Sequence, residues 1–161
     1  MKKRLNIGWF SFSCCEDSTI LMTELLNDHY EEWFELLNFK YAKILQSKNE
    51  LKDIDVAFVE GAITSNKLLK ELKEIRKNSK KVVAIGSCAI NGMPSAQRNT
   101  FDKKRREEIQ FLIDRFKHMD RVYSVKEVVK VDDEVPGCPM DENKFLEVLN
   151  KCLVEFKVKN A

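Results

Sequence analysis

The feature that most constrains the fold of this sequence is a regular alternation between short apolar runs and longer amphipathic segments. Residues 4–13, 53–60 and 81–85 are apolar runs of strand length, rich in β-branched and aromatic residues. Segments with helical spacing of apolar residues follow them, at residues 17–33, 66–78, 101–119 and 140–156. Because strands that alternate with helices connect to parallel neighbours, this order predicts a parallel sheet with helices on both faces.

Two weaker segments complete the predicted architecture. Residues 39–45 alternate between apolar and polar types, which is typical of an exposed edge strand, and residues 125–131 form a short apolar run predicted to be the last strand. Residues 89–100, with glycine, proline and asparagine, are expected to form a loop. The 161 residues contain no linker or repeat, so we expect one domain over residues 1–161. The flavodoxin-like doubly wound sheet, a three-layer αβα fold, matches this size and order.

Charge and hydropathy exclude several functional classes. The 28 basic and 26 acidic residues leave a net charge of +2, which gives no reason to expect nucleic-acid binding. The basic run at residues 103–106 is expected to be a solvated helix face. The longest uncharged stretch, residues 5–15, is too short to span a membrane, so we expect a cytoplasmic protein without membrane insertion. Stable disulfides are rare in the cytoplasm, and clustered cysteines there favour metal or redox chemistry.

Four of the five cysteines follow predicted strands. Cys14 and Cys15 close the first strand, Cys88 follows the run at 81–85, and Cys138 follows the last short strand. Because parallel strands end at the same edge of a sheet, loops that are distant in sequence meet there. Glycine and proline flank these cysteines and supply the backbone conformations that a crowded site requires. The fifth cysteine, Cys152, lies on an apolar helix stripe and is expected to be core.

Four thiolates at one edge suit either a 4Fe–4S cluster or a tetrahedral zinc ion. Structural zinc sites commonly use close cysteine pairs that form knuckles, and one adjacent pair with two isolated cysteines fits that habit poorly. A 4Fe–4S cluster accepts ligands from separate loops and is the favoured interpretation. The remaining alternative is that these cysteines are small apolar residues without a cofactor. Phosphate-binding glycine motifs and hydrolase nucleophile motifs are missing from the sequence, so we expect no turnover from this chain alone.

Four motifs in one order resemble the small subunit of nickel–iron hydrogenases, closest to the soluble cytoplasmic, sulfhydrogenase delta-like enzymes. They are equally similar to the related cluster-carrying 20 kDa subunit of respiratory complex I. The motifs are GWFSFSCCEDSTIL at residues 8–21, VAFVEGAI at 56–63, VVAIGSCAINGMPSAQRN at 82–99 and EVPGCPMDENKFL at 134–146. The resemblance therefore covers almost the whole chain.

The resemblance implies a flavodoxin-like domain that holds one proximal 4Fe–4S cluster and relays single electrons to or from a large catalytic subunit. Carried over by motif, Cys88 and Cys138 are cluster ligands. Hydrogenase small subunits show C-x-x-C in the first motif, where this chain has Cys15 followed by Ser18. The adjacent pair instead resembles the complex I subunit, in which tandem cysteines both bind the cluster. We therefore predict Cys14 and Cys15 as the other ligands, with Ser18 as the alternative to Cys14.

The implied partners are a nickel–iron large subunit or a homologue of it, and a further electron-carrier subunit or a ferredoxin-like acceptor. A nickel-free, complex I-like partner is a second hypothesis, because the adjacent cysteine pair departs from the hydrogenase pattern. A third hypothesis, from a different class, is a cluster-free interaction domain that keeps only the scaffold.

Several other residues carry weaker expectations. Glu16 adjoins the proposed ligands and is interpreted either as a proton relay or subunit contact, or as a solvated carboxylate. Glu60 ends a strand and is interpreted either as the acceptor of a hydrogen bond from an amide of a cysteine loop or as a carboxylate without that role. Arg98 follows Cys88 and either places a cation near the cluster or is a surface or interface arginine. The two histidines, His29 and His118, lie in helical segments and are not expected to be ligands.

Overall fold

The computed structural model describes residues 3–160 and is organised around a five-stranded sheet in the order β2-β1-β3-β4-β5. All four pairs of neighbouring strands are parallel. The predicted edge strand is therefore confirmed, since β2 lies at one end of the sheet. The strands are β1 (Leu5–Ser11), β2 (Leu37–Ala42), β3 (Ile54–Glu60), β4 (Ser79–Ile85) and β5 (Asp133–Val135).

Helices connect successive strands and cover both faces of the sheet. They are α1 (Asp17–Asp28), α2 (Tyr30–Leu36), α3 (Asn66–Lys77), α4 (Gly86–Asn91), α5 (Lys103–Arg115), α6 (Val125–Val128) and α7 (Glu142–Glu155), with a 3₁₀ helix at Ser95–Thr100. The predicted flavodoxin-like, three-layer fold is confirmed. Among residues 3–160, no helix has the length and the apolar character needed to cross a bilayer.

Two apolar cores form on opposite faces of the sheet. On one face, Trp9 and Phe58 pack against Phe145, with ring centroids 5.9 and 5.4 Å from it, and α1, α2 and α7 close this core. On the other face, smaller side chains of β3 and β4 pack against α3, α4 and α6. Burial of apolar side chains on both faces of a parallel sheet is the main stabilisation expected for this architecture.

Two predictions for the second half of the chain are wrong. The valine-rich pattern predicts a strand at residues 125–131, but Ser124 and Glu127 form a capping box that starts α6. The last strand is β5, further along the chain. Residues 89–100 are not a loop but mostly helical. Gly86, at φ 74°, lets α4 begin directly after β4, and Gly92, at φ 80°, ends it.

The predicted long helices differ from the structure in extent and packing. Residues 17–33 form two helices, α1 and α2, that meet at His29. Helix α5 is shorter than predicted and begins after Asp102, whose side chain accepts the Arg105 N–H. The apolar side expected on α5 does not pack against the core, since Phe111 and Phe116 are 64% and 60% exposed.

Candidate cysteine site at the carboxyl edge of the sheet

The predicted cysteine loops lie at the carboxyl edge of the sheet. Cys14 and Cys15 follow β1, Cys88 lies in the first turn of α4 after β4, and Cys138 follows β5. Their exposure is graded, because Cys88 is buried, Cys14 is partly buried, and Cys15 and Cys138 are exposed. Cys88 and Cys14 also share a small apolar cluster with Ala62. The site therefore has an inner and an outer side.

The Cys88 and Cys138 loops are joined by hydrogen bonds. The carbonyl oxygen of Gly137 accepts the backbone N–H of Ser87 at 2.8 Å and the Ser87 hydroxyl at 3.2 Å. Gly137 adopts φ 112°, and a Cβ there would lie 2.4 Å from the carbonyl oxygen of Pro139. Only glycine fits this turn without strain, so the geometry before Cys138 depends on it.

The first cysteine motif turns sharply and is joined to the Cys138 loop. Glu16 adopts φ 66° at the start of α1, so the chain turns directly after Cys15. The Ser18 hydroxyl oxygen accepts the backbone N–H of Met140 at 3.1 Å. Ser18 is buried, and its hydroxyl already has this structural partner. The three cysteine loops are thus linked through backbone and serine groups rather than through the cysteines themselves.

The electrostatics of the thiols show that they are neighbours. Burial raises the pKa of the Cys14 thiol to about 12, and the Glu60 carboxylate contributes to the increase. Burial also raises the pKa of Cys88, and the thiols of Cys138 and Cys15 raise it further. Cys14 interacts with Cys88, and Cys15 with Cys138. Because such interactions fall with distance, all four thiols lie within electrostatic range of at least one other.

The donor set fits an iron–sulfur cluster in its chemistry. Within residues 3–160 no three Cys, His, Asp or Glu side chains are arranged to hold a single metal ion. A 4Fe–4S cluster binds each thiolate through a different iron, so its ligands line a cage instead of meeting at one point. Thiolates are the soft ligands that such clusters take, and three linked loops supply four of them.

Glu60 ends β3 and is only 3% exposed. Its Oε1 accepts the backbone N–H of Ser18 at 3.2 Å, and its Oε2 accepts the Thr19 hydroxyl at 2.6 Å. The prediction that Glu60 accepts an amide hydrogen bond from the first cysteine motif is therefore confirmed. A buried carboxylate that holds two consecutive residues of α1 restrains the turn that carries Cys14 and Cys15.

Thr19 has a structural role that sequence reasoning missed. Its hydroxyl accepts the indole N–H of Trp9 at 2.8 Å and lies 2.9 Å from the Ser11 hydroxyl. Since the single Thr19 hydroxyl hydrogen is donated to Glu60, Ser11 donates to Thr19. A threonine near a helix start can act as a cap, but the N-cap of α1 is Glu16, with no side-chain capping bond. A threonine near a helix start gives no sequence signal that separates these two roles.

The remaining candidates lie in different surroundings. Glu16 is exposed, and its proposed relay role stays a prediction. Arg98 donates from Nη2 to the carbonyl oxygen of Met119 at 2.7 Å, and burial lowers the pKa of its guanidinium. A cationic effect of Arg98 on the cysteine site also stays a prediction. Cys152 lies on the buried face of α7 and is fully buried in the core, as predicted.

Comparison with known proteins identifies the family. A model of the family described as NADH ubiquinone oxidoreductase, 20 Kd subunit, matches residues 14–152. Subunit delta of the NAD-reducing hydrogenase HoxS from Cupriavidus necator is 30% identical over 111 residues, 59% of this chain and 53% of that protein. Sulfhydrogenase 2 subunit delta from Pyrococcus furiosus is 27% identical over 151 residues, 90% of this chain and 60% of that protein.

A solved structure shares the fold. In the crystal structure of an NAD⁺-reducing NiFe-hydrogenase in the H₂-reduced state, one chain superposes with a TM-score of 0.78 at 23% identity, covering 95% of this chain and 93% of that one. The chain spans about half the length of the curated relatives it matches. Because the family model matches well over half of the chain, from Cys14 to Cys152, this protein belongs to the family of the 20 kDa subunit of NADH ubiquinone oxidoreductase, which has hydrogenase subunits among its relatives.

Proposed function

We propose that this chain is the electron-transfer small subunit of a nickel–iron hydrogenase, in which Cys14, Cys15, Cys88 and Cys138 hold one 4Fe–4S cluster. The observation that carries the proposal is the hydrogen-bonded linkage of three cysteine loops at one edge of the sheet. The hydrogenase subunits among the relatives support the choice of reaction.

The exposure of the thiols supports a role at a subunit contact. Cys88 lies on the inner side of the site, whereas Cys15 and Cys138 are exposed. A group bound by all four would have one side against the fold and the other at the surface. Electron transfer to a partner requires close approach, and a partner that covers Cys15 and Cys138 would meet that requirement while excluding water.

The chain's own residues hold and shape the site. When bound, the cluster supplies one-electron redox chemistry. Gly137 fixes the turn before Cys138, and Ser87 and Ser18 keep the loops at a constant separation. The Cys14 thiol, with its pKa raised to about 12 chiefly by burial, keeps its proton at neutral pH until a metal displaces it. Formation of the site therefore releases protons.

The remaining steps belong to partners. We infer that hydrogen chemistry takes place on a nickel-containing large subunit and that a further electron-carrier subunit or a ferredoxin-like acceptor continues the electron path. We place the complex in the cytoplasm, where thiols stay reduced and are available to bind a cluster. Neither nucleic acid nor membrane insertion has a part in the proposal.

Iron content tests the proposal directly. The chain is purified anaerobically in its native complex, and iron and acid-labile sulfide are measured together with the EPR spectrum after reduction by dithionite. We expect Cys88→Ala and Cys138→Ala to lose the cluster signal, because each removes one ligand. Cys152→Ala is the matched control and should keep full iron, since Cys152 is buried in the core. Wild-type protein without iron, or full iron in Cys88→Ala, would contradict the proposal.

A second pair of variants decides the fourth ligand. Cys14→Ala should lose the 4Fe–4S signal if Cys14 is the ligand, whereas Ser18→Ala should keep it and lose only the hydrogen bond from the Met140 amide. The reverse result would assign the ligand to Ser18.

The adjacent cysteine pair favours one alternative, a complex I-like subunit with a nickel-free partner. The description of the matching family model agrees with that alternative as well. Metal analysis of the partner that copurifies with the native chain separates the two. Stoichiometric nickel supports the hydrogenase assignment, and a partner without nickel supports the alternative.

A further inference from the structure

Strand β3 carries two buried carboxylates that differ in their partners. Asp55, 6% exposed, forms an ion pair with Lys80 at 2.7 Å and accepts the backbone N–H of Asn6 at 3.0 Å. Glu60, 3% exposed, has no lysine, arginine or histidine nitrogen within 4.0 Å among the residues that the structure describes. The charge of Asp55 is therefore compensated, and the charge of Glu60 is not.

The surroundings of Glu60 stabilise an anion by hydrogen bonds alone. Two donors, the Ser18 N–H and the Thr19 hydroxyl, are directed at the two carboxylate oxygens. Thr19 in turn accepts hydrogen bonds from Trp9 and Ser11, so every hydrogen in this network points toward Glu60. Donors that converge on a buried carboxylate replace the hydrogen bonds to water that burial removes.

Glu60 lies beside the inner thiols. Its backbone carbonyl oxygen accepts the Phe12 N–H at 2.8 Å, and Ala62, two residues further on, packs with Cys14 and Cys88. In agreement with this position, the Glu60 carboxylate contributes to the raised pKa of both thiols. The same repulsion acts on any negative charge added at this site. A reduced cluster is less stable beside a fixed anion than in neutral surroundings.

We propose that Glu60 is a fixed buried anion that holds the first cysteine motif through Ser18 and Thr19 and lowers the reduction potential of the cluster. This inference rests on the proposed function and adds to it the residue that sets how strongly the site donates electrons. Glu60 is a positioning residue in this proposal, because it touches the helix that follows the ligands.

The test compares Glu60→Gln with Asp55→Asn in the full chain within its native complex. Iron content and the midpoint potential of the cluster are measured, the latter from the EPR signal in a redox titration. Glutamine still accepts the Ser18 N–H but carries no charge. We expect Glu60→Gln to keep its iron and to favour the reduced cluster about tenfold, which is about 59 mV for a one-electron couple. Asp55→Asn should leave the potential unchanged.

A second pair of variants applies if Glu60→Gln loses its iron. Thr19→Val removes the hydroxyl donor at nearly constant shape and leaves the Glu60 charge without that dipole, so the potential should fall below the wild-type value. Thr19→Ser keeps the hydroxyl and should restore the wild-type potential. Equal potentials in the two Thr19 variants would overturn the inference.

The outcomes separate this inference from the proposed function. Wild-type protein without iron would overturn the proposed function and this inference together. Iron in the wild type, with a Glu60→Gln potential that matches the wild type at full iron, would overturn the inference alone.

Discussion

The two ends of β3 each bury a carboxylate, but they do so with different partners. At the amino end, Asp55 is paired with the Lys80 ammonium and also accepts a backbone N–H. At the carboxyl end, the side-chain oxygens of Glu60 accept from two neutral donors among residues 3–160, the Ser18 N–H and the Thr19 hydroxyl. In the ion pair, the Lys80 ammonium offsets the negative charge of Asp55. A carboxylate held by neutral donors keeps the electrostatic effect of its charge, and Glu60 keeps it beside the cysteine loops.

The contrast extends to the neighbouring elements. Asp132, just before β5, accepts Nη1 of Arg76 at 2.6 Å and the backbone N–H of Val82 at 2.9 Å. Asp133 forms an ion pair with Lys151 at 2.6 Å. The amino edge of the sheet is thus joined by opposite charges. The carboxyl edge is joined by serine hydroxyls, carbonyl oxygens and glycine turns.

The largest effect is expected at the carboxyl edge, from Gly137→Ala. The new Cβ would lie 2.4 Å from the carbonyl oxygen of Pro139, in a backbone region that alanine avoids. We expect a loss of about 3 kcal/mol in the free energy of unfolding, together with loss of iron. Urea denaturation and iron analysis measure both.

Ser87→Ala is the control for that variant. It removes the hydroxyl bond to Gly137 but keeps the backbone bond, so the loss should be about 1 kcal/mol or less. A Gly137→Ala protein with wild-type stability and iron content would show that the turn is not required.

At the amino edge, Asp55→Ala should cost about 2 kcal/mol, because the Asn6 N–H would be left without its partner in a partly buried place. Lys80→Ala should cost less, about 0.5 kcal/mol, since the Lys80 side chain is 68% exposed and its ion pair is screened by water. Urea denaturation of both variants at low salt measures the two losses in the free energy of unfolding. Equal losses would mean that the ion pair, and not the amide bond, accounts for the role of Asp55.

The sheet could be predicted because its signals are local and repeated. The runs that became β1, β3 and β4 are apolar over strand length, and the helical spacing of α3 and α7 is regular. The error at residues 125–131 has a physical cause, since two side chains, Ser124 and Glu127, outweigh the β propensity of a valine-rich run.

The candidate site could be predicted only in outline. Parallel topology brings Cys14, Cys88 and Cys138 to one edge, and the sequence is enough to show that. Tertiary packing decides the direction of the Thr19 hydroxyl. It also decides that no cation lies beside Glu60 among the described residues. Neither property leaves a pattern in a single sequence, so the electrostatic character of the site emerges only in the folded chain.

Acid should weaken the amino edge through Asp132. Burial raises the pKa of Asp132, but the Val82 N–H and the Arg76 guanidinium outweigh it and hold the pKa below its usual value of 3.8. A carboxylate with a lowered folded pKa stabilises the fold above its unfolded pKa and loses that contribution as pH falls through the folded pKa. The stability difference between wild type and Asp132→Asn, about 1 kcal/mol, should therefore be constant above about pH 5 and shrink below about pH 4.

Arg76→Met is the matched variant, because it removes the guanidinium that pairs with Asp132. Its difference from wild type should shrink over the same pH range. A difference for Asp132→Asn that does not change between pH 6 and pH 3 would show that the ion pair with Arg76 adds no acid-sensitive stability.

The smallest effect is expected from Ser11→Ala, at the outer end of the network that leads to Glu60. Ser11 is partly buried and donates to Thr19, which still accepts from Trp9 and donates to Glu60 when the Ser11 hydroxyl is absent. We expect a loss of about 0.5 kcal/mol in unfolding free energy, and a shift of the cluster potential smaller than that of Thr19→Val. Ser13→Ala, which removes a hydroxyl contact with Thr64, is the matched control and should leave the potential unchanged. A shift for Ser11→Ala as large as that for Glu60→Gln would contradict this expectation. It would mean that the hydrogen-bond network around Glu60, and not the missing counter-charge, distinguishes Glu60 from Asp55.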